Sequence, residues 1–242
     1  MCYHLSLVQN LLYLQNRFGA ALDEPGSYGP VYHRAAFSSP KHPVIADDDP
    51  GRIRLFEWGL IPRWVKTEKQ ASEMRKGTYN AKAETIFQKP SFRSPIKDRR
   101  CLVLADGFFE WQHVEGRKYP YYIRLKSREA FAIAGIWDEW KGGGEPVRTF
   151  SVVTTEASPL MARIHNTKKR MPVILRPQDE RRWLERGLST EEVRSLLRPY
   201  DDGALEAYTV APLTGAGMAK DGPGTIAPRQ YHELGEAQRT LF

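Results

Sequence analysis

Residue 2 of this 242-residue chain is a cysteine, and removal of Met1 sets its thiol and the new α-amino group on adjacent carbons. Such a 1,2-aminothiol captures aldehydes: the amine condenses to an imine, and the thiol closes on the imine carbon as a five-membered thiazolidine. Cys is small enough for the enzymes that ordinarily remove an initiator methionine. An α-amine titrates at about 7.7 to 8.0 and a thiol at about 8.5, so both are partly deprotonated near neutrality. Taken alone, Cys2 reads more simply as the start of a strand.

Four further segments set a polar residue among residues of structural type: Trp58-Gly59-Leu60-Ile61-Pro62-Arg63-Trp64, Tyr79-Asn80-Ala81-Lys82-Ala83-Glu84-Thr85, Ala105-Asp106-Gly107-Phe108-Phe109-Glu110-Trp111, and the stretch from Ile164-His165-Asn166 through Arg170-Met171-Pro172 to Leu175. Glu110 follows two aromatics and precedes a third, an apolar setting that disfavours the carboxylate, and it reads either as a general acid or as an ordinary strand-edge Glu with aromatic neighbours. His165 falls at a helix-to-strand junction, and an imidazole ordinarily titrates close to pH 7. Asn80 reads as a helix cap. Trp58 reads as core. Trp64 is either core or a stacking face for an unpaired base, where such stacking contributes about 1 to 3 kcal/mol. Glu84 reads as a partner for a cation.

The elements that position these residues follow from periodicity. Alternating apolar residues predict strands over 3–8, 44–46, 53–58, 101–104, 121–125, 131–136 and 150–153, with a further strand over 173–175. Helical spacing with capping residues predicts helices over 9–18, 67–76, 158–164, 178–185 and 190–197. Asp47-Asp48-Asp49-Pro50-Gly51 predicts a solvated hairpin turn rather than a metal site, and 141–146 an exposed loop tip. This is an α+β pattern built on antiparallel strands. From Leu213 onward the chain turns rich in Gly, Ala and Pro, which predicts an extended surface tail over 213–242 after a single domain over 1–212.

Composition narrows the classes. The 36 Lys and Arg against 29 Asp and Glu give a net charge of +7, which favours a polyanionic partner. Two cysteines, no secretory apolar region and no membrane-length apolar run predict a soluble cytoplasmic protein, with Cys101 a buried structural thiol.

Cys2 and the four segments, in this order, resemble the SRAP family (SOS-response-associated peptidases), whose members crosslink covalently to abasic sites in single-stranded DNA. The resemblance runs from Cys2 to about Tyr208. It implies a barrel-like β core with peripheral helices, no cofactor and no metal. It implies catalytic roles for Cys2 as the crosslinking residue, Asn80 beside the reactive terminus, Glu110 as the acid that opens the abasic sugar, and His165 as a proton shuttle. Trp64, Lys82, Thr154, Thr155, Lys168, Lys169 and Arg170 are the implied DNA contacts. Lyase activity by β-elimination from the imine and self-removal of Met1 are also implied, with location on the nucleoid when bound to DNA. Departures from the pattern are His4 and Lys82 where relatives often carry Arg, Val65 in place of a second Trp, a different loop over 36–40, and Thr167-Lys168-Lys169 lengthening the link from His165 to Arg170.

Two other classes remain open on the sequence: an N-terminal-nucleophile amidohydrolase or peptidase, and a non-covalent single-strand-binding module. The end of the chain, Gln238-Arg239-Thr240-Leu241-Phe242, looks like the short Gln-x-x-Leu-Phe peptides that dock on bacterial sliding clamps, with Gln238, Leu241 and Phe242 as the anchors. The alternative is that Leu241 and Phe242 fold back onto the domain itself.

Overall fold

A computed structural model describes residues 2–142, 144–214 and 221–235, with Pro25 by its backbone alone. The strands are β1 (His4–Leu7), β2 (Ala21–Leu22), β3 (Val31–Ala35), β4 (Lys41–Ala46), β5 (Asp49–Trp58), β6 (Asn80–Lys82), β7 (Arg100–Ala105), β8 (Gly107–Val114), β9 (Arg117–Leu125), β10 (Phe131–Trp140), β11 (Val147–Glu156), β12 (Arg170–Pro172) and β13 (Leu205–Thr209). The helices are α1 (Leu11–Phe18), α2 (Glu68–Thr78), α3 (Pro95–Asp98), α4 (Pro159–Ile164), α5 (Pro177–Leu184) and α6 (Thr190–Leu196).

The predicted helices form where their caps lie. Asn10, Thr67 and Ser158 each accept a backbone N–H of the first turn, and Ser189 with Glu192 closes a reciprocal capping box. The strands make two sheets. One runs β12-β11-β10-β7-β4-β5-β2, and a parallel pairing of Phe150 with Trp58 joins β11 to β5, so that the middle strands close into a ring. The second runs β13-β9-β8-β1-β3. The fold is a single α+β domain on largely antiparallel strands, as the alternation predicts. Trp58 and Cys101 are wholly buried in its core.

Several elements escape the alternation. β8 carries Gly107-Phe108-Phe109-Glu110, buried on both faces, so it shows no period-2 signal. The strand expected over 173–175 lies at Arg170–Pro172 instead, paired with Thr154 to Glu156 of β11, while Ile174 makes a lone bridge to Ile133. The hairpin after β4 turns at Asp47 and Asp48, with Pro50 and Gly51 inside β5. Asp47 is buried rather than solvated, because its carboxylate accepts from the Trp137 indole at 2.8 Å and from Arg186 at 3.0 Å.

Residues 221–235 pack on the domain: Leu234 is wholly buried in the main core, and Asp221 accepts the backbone N–H groups of Tyr32 and His33. A few anchors spaced by Gly and Pro carry no periodicity, so the sequence reads as plain tail there. Gln238, Leu241 and Phe242 lie outside the described residues. No described helix is long and apolar enough to cross a membrane.

Candidate functional site

The site forms where β1 lies against β8. Leu5 pairs with Phe108 and Ser6 with Gly107, which brings the residues before β1 alongside Glu110. Asp106 fastens this junction: its carboxylate accepts from Ser6 Oγ at 2.7 Å and from the backbone of Val8 and Gln9 at 2.5 and 3.2 Å. Gly107 is required there, since a Cβ would collide with the Tyr122 ring, whose hydroxyl meets Ser6 Oγ at 2.9 Å. Sequence reasoning singled out this segment for Glu110 alone, and the carboxylate and glycine before it are what hold the segment around β1 in place.

Cys2 is wholly buried, and burial, reinforced by the Glu110 charge, pushes its thiol well above the ordinary range. Glu110 is 3% exposed, and desolvation pushes its carboxyl up to about 8. It is therefore largely protonated at neutral pH. His165 Nδ1 lies 3.6 Å from Glu110 Oε1. The sequence expectation of an imidazole titrating near pH 7 gives way to a neutral ring, because burial pulls His165 down to about 4. Its Nδ1 is 2.9 Å from the Arg170 carbonyl, which only accepts, so Nδ1 carries the proton and Nε2 is the basic nitrogen.

The separation of Glu110 from His165 is set by rungs between β8 and the end of α4. Gln112 donates to the Arg163 carbonyl at 3.2 Å while accepting from the Tyr121 hydroxyl. Asn166 accepts from His113 N at 3.0 Å and donates to His113 O at 2.7 Å. The loop between them returns to β12 through Lys169, whose φ of 49° is left-handed.

Asn80 is no helix cap: it opens β6, opposite Val152 of β11. It is 7% exposed, and among the described residues neither its Oδ1 nor its Nδ2 has a hydrogen-bond partner. A buried amide left open is costly in a fold with nothing to bind. Tyr79 joins Asn80 to the rest of the site, since its ring meets Tyr3 edge-on at 6.3 Å. Gly59 permits that position: it has φ 110°, and a Cβ would come within 3.0 Å of the Tyr79 ring.

Asn80 also lines a cleft of about 1000 Å³ that runs past Trp64, Met74 and Phe92, with Lys69, Lys82 and Lys89 on its walls. Trp64 is 53% exposed, which favours the stacking reading over the core reading. Its segment is held by Arg63, which bonds Asp138 through both backbone and side chain.

The remaining implied DNA contacts divide. Lys168 and Lys169 are exposed. Arg170 is turned inward: it grips Glu84 with two nitrogens and bonds the Thr154 carbonyl and hydroxyl. Thr154 is wholly buried, and Thr155 donates to the Leu197 carbonyl at 3.4 Å. Among the described residues no cluster of three or more His, Cys, Asp or Glu is suited to a metal ion.

Comparisons with known proteins identify the family. The family described as SOS response associated peptidase (SRAP) matches residues 1–216, and the chain belongs to that family. It is 40% identical over 191 residues to the abasic site processing protein YoqW of Bacillus subtilis, an alignment covering 78% of this chain and 82% of that one. It is 33% identical over 210 residues to the abasic site processing protein HMCES of Gallus gallus, covering 74% of this chain and 61% of the relative. A crystal structure of a Bacteroides thetaiotaomicron protein, 39% identical, superposes with a TM-score of 0.87 over 95% of this chain and 100% of that chain.

The buried acid and base have opposite effects on stability. Glu110 has a folded pKa above its usual 4.5, so its contribution is intact below that pH and is lost as pH rises through about 8. His165, lowered from 6.5 to about 4, costs stability as pH falls through that window. Glu110→Gln, which cannot ionise, is accordingly expected to melt higher than the parent at pH 8, with the difference closing as pH approaches 4.5. Thermal melts of both proteins across this range check it, and equal melting temperatures at pH 8 would contradict the buried-acid assignment.

Proposed function

We propose that this protein processes abasic sites in single-stranded DNA by covalent capture through Cys2, made N-terminal by loss of Met1. The observation that carries the reading is the grouping of a buried Cys2, a carboxyl held protonated and a neutral imidazole, with the Asn80 amide, open among the described residues, joined to them through Tyr79 and Tyr3. The names of the YoqW and HMCES relatives point to the same substrate.

An abasic sugar is mostly a closed hemiacetal, unreactive toward amines. Glu110 donates its proton to the ring oxygen as the ring opens, and the C1′ hydroxyl gives up its proton as the aldehyde forms. The Cys2 amine adds to the aldehyde carbon, and the carbinolamine loses water to form the imine. The thiol then forms the S–C bond, its proton passing to the imine nitrogen as the C=N electron pair is taken up. His165 Nε2 accepts and returns protons during these transfers, and Asn80 bonds the amine or the sugar hydroxyls. Glu110 serves again when the ring reopens. If the reaction stops at the imine, β-elimination breaks the strand, which is the lyase side reaction. Self-removal of Met1 draws support from the family name only.

The strand would follow the cleft from Asn80 toward Trp64, with Lys82, Lys69 and Lys89 answering its phosphates. Lys168 and Lys169 add charge beside His165. Replacing Lys168 and Lys169 together with Ala should weaken non-covalent binding and reduce the salt slope by about 1 to 2, leaving the saturated crosslinking rate unchanged. Arg170→Ala should instead lower the melting temperature, since it strips Glu84 and Thr154 of their partner. Binding titrations at several salt concentrations, with melts of each variant, test this division. An unchanged slope in the double Lys variant would remove those lysines from the interface.

A further inference from the structure

Among the large apolar side chains exposed in the described residues, Phe37 is 61% and Trp64 53% exposed, and each has neighbours belonging to the site, though not the same ones. Trp64 lines the cleft with Asn80, and Phe37 takes no part in that wall. Phe37 instead stands on Tyr3, the residue after Cys2, with ring centroids 5.1 Å apart and planes 31° from parallel. We propose that Phe37 is a second base-stacking residue, seating the nucleobase on one side of the abasic sugar while Trp64 seats the base on the other. This rests on the DNA-capture reading above.

The ring is held as a platform. Tyr79 meets it edge-on at 6.0 Å and His4 at 5.7 Å. The Phe37 carbonyl accepts the Tyr79 hydroxyl at 3.4 Å, and Ala36 N donates to Tyr3 O at 2.8 Å, which fixes the turn against the reactive end of the chain. The short helical turn Ala36–Ser38 ends at Ser39 in the left-handed region, φ 49°. Tyr3, Tyr79 and His4 thus fix the ring, and the residue is still 61% exposed. Such a ring gains by stacking at little ordering cost.

A nucleobase is the occupant that suits this place. The platform adjoins the residue that would hold the sugar, and stacking tolerates any base, as an unspecific damage sensor requires. Positive charge lies beside it: Arg34 bonds the Lys41 carbonyl across the mouth of the turn, and Lys41 is exposed. Val65, beside Trp64, is 4% exposed and packed with Ile61, Ala71 and Trp140, so it offers no face to a base.

The test uses the mature full chain and single-stranded oligonucleotides containing a tetrahydrofuran abasic analogue, which has no aldehyde, so stacking is read apart from chemistry. 2-Aminopurine is placed immediately 5′ or immediately 3′ of the analogue, and its fluorescence is quenched when it stacks. Quenching at both positions is expected for the parent, with Phe37→Ala releasing one position and Trp64→Ala the other. Phe37→Ala should also weaken binding about tenfold, and Phe37→Tyr should restore both binding and quenching. Quenching retained at both positions in Phe37→Ala would overturn the proposal, as would Phe37 and Trp64 releasing the same position. Crosslinking to a true abasic oligonucleotide is scored separately: an adduct that forms while Phe37→Ala leaves the quenching intact refutes the stacking role alone. Because Phe37 is exposed, its variants should keep the parental melting temperature.

Discussion

Cys2→Ala is expected to abolish the denaturation-resistant complex with a single-stranded abasic oligonucleotide. The thiazolidine needs sulfur and amine on adjacent carbons. Holding both on one residue turns the second bond formation into a ring closure, the kind of intramolecular step whose effective molarity reaches about 10⁵ to 10⁸ M. The alanine variant keeps the amine, so an imine can still form, and it should be seen only when trapped by borohydride. One residue inserted before Cys2 should have the same outcome, because it acylates the nitrogen and leaves the thiol in place. Denaturing gels with and without borohydride separate these cases. A normal yield of heat-stable adduct from Cys2→Ala would sink the mechanism.

Glu110→Gln should slow crosslinking by about 10² to 10⁴, the usual contribution of a positioned general acid, while binding to a tetrahydrofuran analogue stays within a few-fold of the parent. Gln keeps the shape and the hydrogen-bonding capacity of the protonated carboxyl but has no proton to give. The pH profile carries a second signature. With Glu110 pushed up to about 8, the acid is lost above that pH and the parental rate declines there. That alkaline decline should vanish in Glu110→Gln. Rates measured at saturating DNA from pH 6 to 9 decide the matter, and an unchanged rate would remove Glu110 from the chemistry.

Much of this architecture is legible in the sequence where the signal is local. Helix ends follow from Asn10, Thr67, Ser158 and Ser189 because a cap is a short-range bond. The amphipathic strands follow from alternation. β8 does not, because burial on both faces erases the period, and that strand carries the acid. Chemistry written in residue type is legible too: an acid among aromatics is buried and protonated, as Glu110 is.

Properties that depend on what the fold brings near are not legible. Nothing local to His165 announces the burial that keeps it neutral, and nothing local to Arg170 distinguishes a cation facing phosphate from one committed to Glu84, 86 positions away. The work of Asp106 and Gly107 is equally hidden, since their partners on β1 and β9 are contributed by distant parts of the chain. Phe37 reads as an ordinary loop aromatic until Tyr3 and Tyr79 are seen holding it.

Intact mass reads covalent capture by an N-terminal aminothiol without an intervening assay. Purified protein would be weighed before and after mixing with a single-stranded abasic oligonucleotide, then again after borohydride. The starting mass is expected to lack Met1, and the adduct to equal the two components less one water. The adduct mass should be unchanged by borohydride, because a thiazolidine has no C=N bond to reduce. An adduct that gains two hydrogens in full, or a mature protein that forms no adduct at all, would contradict it.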